Sequence, residues 1–199
     1  QIKEGSQQKI MEFRRPGIVH RLDKETSGII ITAKNRDVEE FLGQQFREKK
    51  LRKEYILIVK GRPPAYAGDI RTQIIRDPKD RKRFKAVTDT NEGKYARTLY
   101  HCISSYGNYT LVRVRLKTGR THQIRVHMKY LGCPIVGDSI YNKVDPIFPD
   151  ATLMLHSKLL EITLPGEKNP HTFITPTPRR FLELEKKLKK MYNKKEITK

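Results

Sequence analysis

HRLDKETSGIIITAK, residues 20–34, places Asp23 among cations and small polar residues directly before an apolar, β-branched run. After the Ser27–Gly28 break, Gly28–Ala33 reads as a short buried strand. Asn35–Arg36–Asp37 then introduces Val38, Phe41, Leu42 and Phe46, whose spacing is that of an amphipathic helix. A strand signal followed at once by a helix signal already points to a mixed fold. The cluster from Arg14 to Gly28 also concentrates chemistry. An aspartate beside an arginine is stabilised as carboxylate, available as nucleophile or electrostatic stabiliser. The same residue would serve equally well in a loop or a cap. His20–Arg21–Leu22–Asp23 has the letters of a kinase catalytic loop in the wrong order. No Gly-rich phosphate loop, Walker motif or DFG-type aspartate accompanies it.

Further along, Tyr55–Val59 reads as a strand closed by Gly61 and Pro63–Pro64, and Asp69–Ala96 as irregular and polar. Leu99–Ile103 and Tyr109–Leu116 read as strands. The second alternates Val112, Val114 and Leu116 with Arg113, Arg115 and Lys117. One apolar face and one cationic face suit a sheet that meets a polyanion, and suit a solvated strand as well. Thr118–Gly119–Arg120 is a turn, with Thr121 as N-cap of a helix that ends near Gly132 and has Ile124, His127 or Met128, and Leu131 on its apolar side. Leu153–Leu155 and Leu159–Leu164 give late strands. Thr177 caps a final helix with Pro178 first, Phe181, Leu184, Leu188 and Met191 inward, and the Lys186–Lys195 cluster outward. The whole reads as one α+β domain.

Charge narrows the partner. The 199 residues carry 42 Lys plus Arg against 22 Asp plus Glu, a net charge of +20. Such an excess favours a polyanion, nucleic acid before an anionic membrane. The cations lie in patches within folded-looking segments (47–62, 71–85 and 111–125), as a surface that grips phosphates in register would have them. Two cysteines far apart, Cys102 and Cys133, exclude a disulfide scaffold and a cysteine-rich zinc module. No membrane-span pattern and no signal peptide is evident, so a cytoplasmic location is expected. A chain that begins with Gln1 is expected to be a piece of a longer protein.

The second chemistry-bearing cluster is Thr118–His127. His122 and His127 are five apart without an HExxH glutamate, which argues against a zinc site. Arg125 lies one turn beyond Thr121, placed to meet a substrate, a distant carboxylate, or only a surface ion pair.

Taken together, HRLDKETSG (20–28) and RLKTGRTHQIRVHMKYLGCPIVGD (115–138) resemble the RluA family of RNA pseudouridine synthases. KEYILIVKG (53–61), DPKDRKRFKAV (77–87), Ala96–Tyr100 and LHSKLL (155–160) are similar to the family in the same order, so the resemblance spans roughly residues 16–178. It implies a pseudouridine synthase catalytic fold: a mixed, mainly antiparallel bent sheet flanked by helices around a central active-site cleft. It also implies that Asp23 is the essential aspartate, Tyr55 the tyrosine against the target base and Arg125 the partner of the aspartate. Arg21 would hold the space left by a flipped nucleotide. With Arg81, Lys82, Arg83, Arg120 and His122 it forms the expected RNA-binding set.

The resemblance implies no metal and no organic cofactor. It makes the expected partner RNA, ribosomal large-subunit RNA first and tRNA as the alternative, with no membrane and a monomeric enzyme. A non-catalytic RNA-binding relic is the rival reading. It is disfavoured by the joint presence of Asp23, Tyr55 and Arg125. The family's first strands, with their Lys-Pro-Ser/Ala-Gly type motif, and the S4-like domain of many members are expected upstream, since Gln1–Phe13 supplies neither. Residues 178–199 are expected as a basic helix and tail. Ser157 stands where the family commonly has Ala.

Overall fold

The strand over Arg52–Lys60 (β2) is the axis of the computed structural model, which describes residues 17–192. Arg14–Pro16, the Gln1–Phe13 segment, and Lys194 and Lys195 of the expected basic cluster lie outside the described residues. β2 is apolar on both sides, and Leu57, Ile58 and Val59 are at most 1% exposed. Burying each contributes roughly 1.5–3 kcal/mol. β2 pairs antiparallel with Tyr109–Leu116 (β6) on one edge and Leu155–Thr163 (β7) on the other.

The sheet also contains Ser27–Gly28 (β1), Ala67–Arg76 (β3), Phe84–Val87 (β4), Lys94–Tyr106 (β5) and Pro170–Ile174 (β8). The order is β1-β7-β2-β6-β5-β3-β4, with β8 sharing the outer edge of β7 with β1. Every pairing is antiparallel except β1 with β7. Three helices complete the described residues: Arg36–Glu48 (α1), Gln123–Tyr130 (α2) and Arg179–Tyr192 (α3). The main core lies between β2, β5, β6 and β7 and takes in Ile124 and Met128 of α2 and Phe181, Leu184 and Leu188 of α3. A smaller core under α1 joins Leu42 to Leu160 and Ile162.

The α+β class holds, and β6 has the bounds expected of it. Four expectations change. Gly28–Ala33 is extended but not a buried strand. Only its first residue belongs to β1, Thr32 makes a single bridge to Ile18, and Ile30 is 50% exposed. Ile29, Ile31 and Ala33 alternate onto the α1 core, so one face is buried while most of the backbone finds no ladder.

The Asp69–Ala96 stretch is not irregular. It holds most of β3, all of β4 and the start of β5, because Ile70, Thr72 and Ile74 point inward while Asp69, Arg71 and Gln73 face solvent or the rim. The two late strands are one, β7, with Leu153 and Met154 before it. The helix caps also shift. The N-cap of α2 is His122, not Thr121, and α3 begins after Pro178, with Met191 half-exposed rather than in the core.

Candidate active site

Asp23 is held by anchors on both sides. Upstream, His20 accepts the Ile31 N–H at 3.0 Å and stacks on Phe46, with ring centroids 4.7 Å apart. Burial and the Lys53 charge lower its pKa to about 4, so it serves as a neutral acceptor. Leu22 packs against the main core, and the Asp23 carbonyl closes a turn with the Thr26 N–H at 2.9 Å. Downstream, Gly28 adopts φ +116°, and a Cβ there would stand 2.2 Å from the Ser157 carbonyl oxygen. Only glycine lets this loop lie so close against β7.

The neighbouring Ser27 belongs to a hydrogen-bond chain that starts from α3. Arg180 Nη2 donates to Ser27 Oγ at 2.6 Å, Ser27 contacts His156 Nδ1 at 2.9 Å, and His156 Nε2 contacts Thr175 Oγ1 at 2.8 Å. Thr175 in turn donates to the Ser157 carbonyl at 3.2 Å. α3 therefore braces the loop that carries Asp23.

Tyr55 comes from β2, where the ladder with β7 is irregular. Glu54 pairs with Leu159 and Tyr55 with Ser157, leaving Lys158 as an extra residue. Such a bulge re-aims the side chains beside it. Burial raises the Tyr55 phenol to about 12; Ser157 works in the opposite direction and the Asp23 charge adds to the rise. Tyr55 is thus a phenol, not a phenolate, at neutral pH.

Arg125 comes from α2, a helix so enclosed that Gln123 to Met128 are all buried. Its guanidinium donates to Asp138 twice, Nε to Oδ2 at 2.8 Å and Nη2 to Oδ1 at 2.7 Å, and lies 5.3 Å from the centre of the Tyr141 ring. The remaining Nη1 stands 3.5 Å from Asp23 Oδ2. Desolvation opposes the charged form of Arg125, but its carboxylate partners prevail and the pKa is raised. His122 Nε2 faces the other carboxylate oxygen of Asp23 at 4.0 Å.

These groups open into one cleft of about 700 Å³. Asp23, Tyr55, Arg125, Arg21, Arg120 and His122 all line it. So do Arg47, Lys49, Lys53, Arg97, Arg115 and Lys117, leaving Asp23 the one carboxylate among the described lining residues. Arg81, Lys82 and Arg83 do not line it. They sit at the exposed turn between β3 and β4, where Arg83 pairs with Asp80 at 3.2 Å. His127 points away from His122 and is buried between Thr98, 2.7 Å from Nδ1, and Thr72, 3.0 Å from Nε2.

Three site residues escape a reading by sequence. Asp138 was visible only as the end of Val136–Gly137–Asp138, where Gly137 has φ +74° and no room for a Cβ beside the Thr152 carbonyl. Tyr141 follows in the turn that Asp138 caps, its N–H donating to Asp138 Oδ1 at 3.0 Å. Gln123 is 3% exposed and accepts from Thr118 Oγ1 and the Arg120 N–H while donating to the Arg97 carbonyl and Thr98 Oγ1. It pins the turn before α2 to β5. A glycine before an aspartate and a glutamine in a basic run are the faint signals these residues left.

The family model described as RNA pseudouridylate synthase matches residues 3–130. The chain belongs to that family. Among relatives, it is 49% identical over 168 residues to the ribosomal large subunit pseudouridine synthase D of Borreliella burgdorferi, covering 84% of this chain and 51% of that one. To the dual-specificity RNA pseudouridine synthase RluA of Salmonella typhi it is 40% identical over 160 residues, covering 79% and 72%. These two relatives make it an RluA-type member. Among solved structures, human RNA pseudouridylate synthase domain containing 1 matches with a TM-score of 0.76 and 26% identity, over 97% of this chain and 80% of that one. The chain spans about half the length of the first curated relatives it matches.

Proposed function

We propose that this protein isomerises uridine to pseudouridine in RNA, with large-subunit ribosomal RNA as its substrate. The observation that carries the reading is the cleft itself, in which a single carboxylate faces an arginine and a buried phenol inside a ring of cations.

The reaction breaks the N1–C1′ bond of uridine and joins C5 to C1′; the C5 proton leaves and N1 gains one, so nothing is consumed. As the base departs the sugar becomes electron-poor, and a carboxylate at C1′ or C2′ can attack it, stabilise it or take a proton. Asp23 is that group. Arg125 places its positive charge 3.5 Å from that carboxylate, and because Asp138 holds two of the guanidinium nitrogens, the third is aimed without reorganisation.

Tyr55 offers a ring face to the base and a phenol for proton transfer at C5. With its pKa near 12 it begins protonated, so it accepts the C5 proton only as it passes on its own. Arg21, beside Asp23 on the cleft wall, occupies the gap left when the uridine leaves its stack. Flipping costs a few kcal/mol, which stacking and phosphate contacts to the cleft cations offset. This chemistry draws on the chain's own side chains alone. We place the enzyme in the cytoplasm as a monomer, and no described helix is long and apolar enough to cross a membrane.

The test is tritium release from ribosomal RNA labelled at uridine C5. Release by the wild-type protein and none by Asp23→Ala is the expected result. Undiminished release by Asp23→Ala, or none by wild type, overturns the assignment.

A further inference from the structure

His122 lines the cleft, and two aromatic rings flank its imidazole. Phe84 from β4 meets it edge-on at 5.7 Å, and Tyr141 does so at 5.6 Å from the loop after α2. Its side chain is 17% exposed, and its backbone has φ 55°, a left-handed conformation rare for a residue with a Cβ. A fold that holds a histidine in this conformation fixes where the ring points. The charged and titratable groups around it are Asp23 and Arg21 from the loop before β1, Arg125 from α2, and Asp138 and Tyr141 from the loop after α2.

The hydrogen bonds on this ring have a direction. The Phe84 N–H donates to the Tyr141 hydroxyl at 2.9 Å, using the oxygen as acceptor. The hydroxyl's other contact among the described residues is His122 Nδ1, also at 2.9 Å. Nδ1 is thus the acceptor within reach of the Tyr141 proton among the described residues, and a neutral imidazole that accepts on Nδ1 carries its own proton on Nε2. Nε2 is the atom that faces Asp23 Oδ1. At 4.0 Å this is longer than a hydrogen bond, a separation that catalytic groups commonly show without substrate and close when it binds. Burial favours the neutral ring, since it lowers the His122 pKa.

We infer that His122 is a positioning residue for Asp23, kept as the Nε2–H tautomer by a chain running from the Phe84 backbone through the Tyr141 hydroxyl. Arg125 then restrains one carboxylate oxygen and His122 the other, which fixes the rotation of the carboxylate about its Cβ–Cγ bond. The inference rests on the proposed role of Asp23 for its kinetic consequence, while the tautomer stands independently of any activity.

Two measurements test it. In protein labelled with ¹⁵N-histidine, NMR of the wild type is expected to show His122 protonated on Nε2 and not on Nδ1 at neutral pH, and Tyr141→Phe to give a mixture of tautomers. A proton on Nδ1 in the wild type overturns the chain even if the enzyme is inactive, so this failure is distinguishable from failure of the functional reading. Kinetically, His122→Phe is expected to lower kcat roughly 10- to 100-fold with RNA affinity kept, the cost of a misplaced catalytic group. His122→Gln, whose amide donates without a tautomer choice, should recover part of that loss. Tyr141→Phe should lower kcat in the wild type but add nothing in the His122→Gln background. Equal losses in both backgrounds, or weaker RNA binding with kcat unchanged in His122→Phe, overturn the assignment.

Discussion

Arg125 gives its two short hydrogen bonds to Asp138, not to Asp23, which it meets only with its remaining nitrogen at 3.5 Å. The arginine is therefore built into the protein by one carboxylate and presented to another. Asp138 is fully buried and also accepts the Ile140 and Tyr141 N–H groups, so the pair costs little to keep once folded and much to break.

Removing Asp138 should be felt as both instability and inactivity. Asp138→Ala leaves the Arg125 charge buried with only a distant partner, and we expect about 3–5 kcal/mol of lost stability by urea unfolding. An unchanged unfolding midpoint would show that the pair is not structural.

Tyr55→Phe keeps the ring and removes the proton. RNA affinity should stay close to wild type while turnover falls by at least about a hundredfold, within the range of general acid–base contributions. Because the folded phenol titrates near 12 against an ordinary 10, no Tyr55 ionisation should appear in the pH–rate profile at neutral pH. The sign follows for stability as well. The folded state holds this proton longer, so the contribution of Tyr55 is lost as pH rises from 10 towards 12. Unchanged turnover in Tyr55→Phe removes its proton-transfer role.

The cleft cations should set the salt dependence of RNA binding. Neutralising Arg115 and Lys117, which both line the cleft, should flatten the slope of log K against log salt by about 0.7 for each RNA phosphate that these side chains neutralise. Charge reversal at Arg81, Lys82 and Arg83 tests the hairpin turn separately. A weaker, flatter dependence is expected there too, and an unaltered slope would show that this turn faces away from RNA.

His127 should make the fold acid-sensitive. Burial lowers its pKa from 6.5 to about 4, so the folded state refuses a proton that the unfolded chain accepts. Its stabilisation is complete above 6.5 and is lost as pH falls towards 4, about 3 kcal/mol in all. His20, lowered to about 4 in the same way, acts with the same sign. Urea unfolding across this range should show the decline, and a His127→Gln variant a shallower one. Equal slopes in the two proteins would remove His127 as the cause.

Local order was legible from residue patterns wherever burial is one-sided and regular. The apolar stripe of α1 and the alternation of β6 announce themselves because a helix or strand with one buried face repeats its apolar residues at 3.6 or 2. The two motifs around Asp23 and Arg125 were equally plain, since the residue types that bear chemistry are written there in full. The β3 strand was missed although Ile70, Thr72 and Ile74 alternate, because polar and charged neighbours diluted the pattern.

The chain alone thus pointed to the α+β class, a basic composition, and the carboxylate and arginine proposed as the centre of the site. Tertiary structure decided what orients them. Asp138 and Tyr141 follow Arg125 by 13 and 16 residues, and Phe84 lies on a separate hairpin, yet the three converge on Arg125 and His122. No periodicity links such positions. Buried polar groups must find partners wherever the fold brings them, and that requirement is met by the packing of α2 against the sheet, not by spacing along the chain.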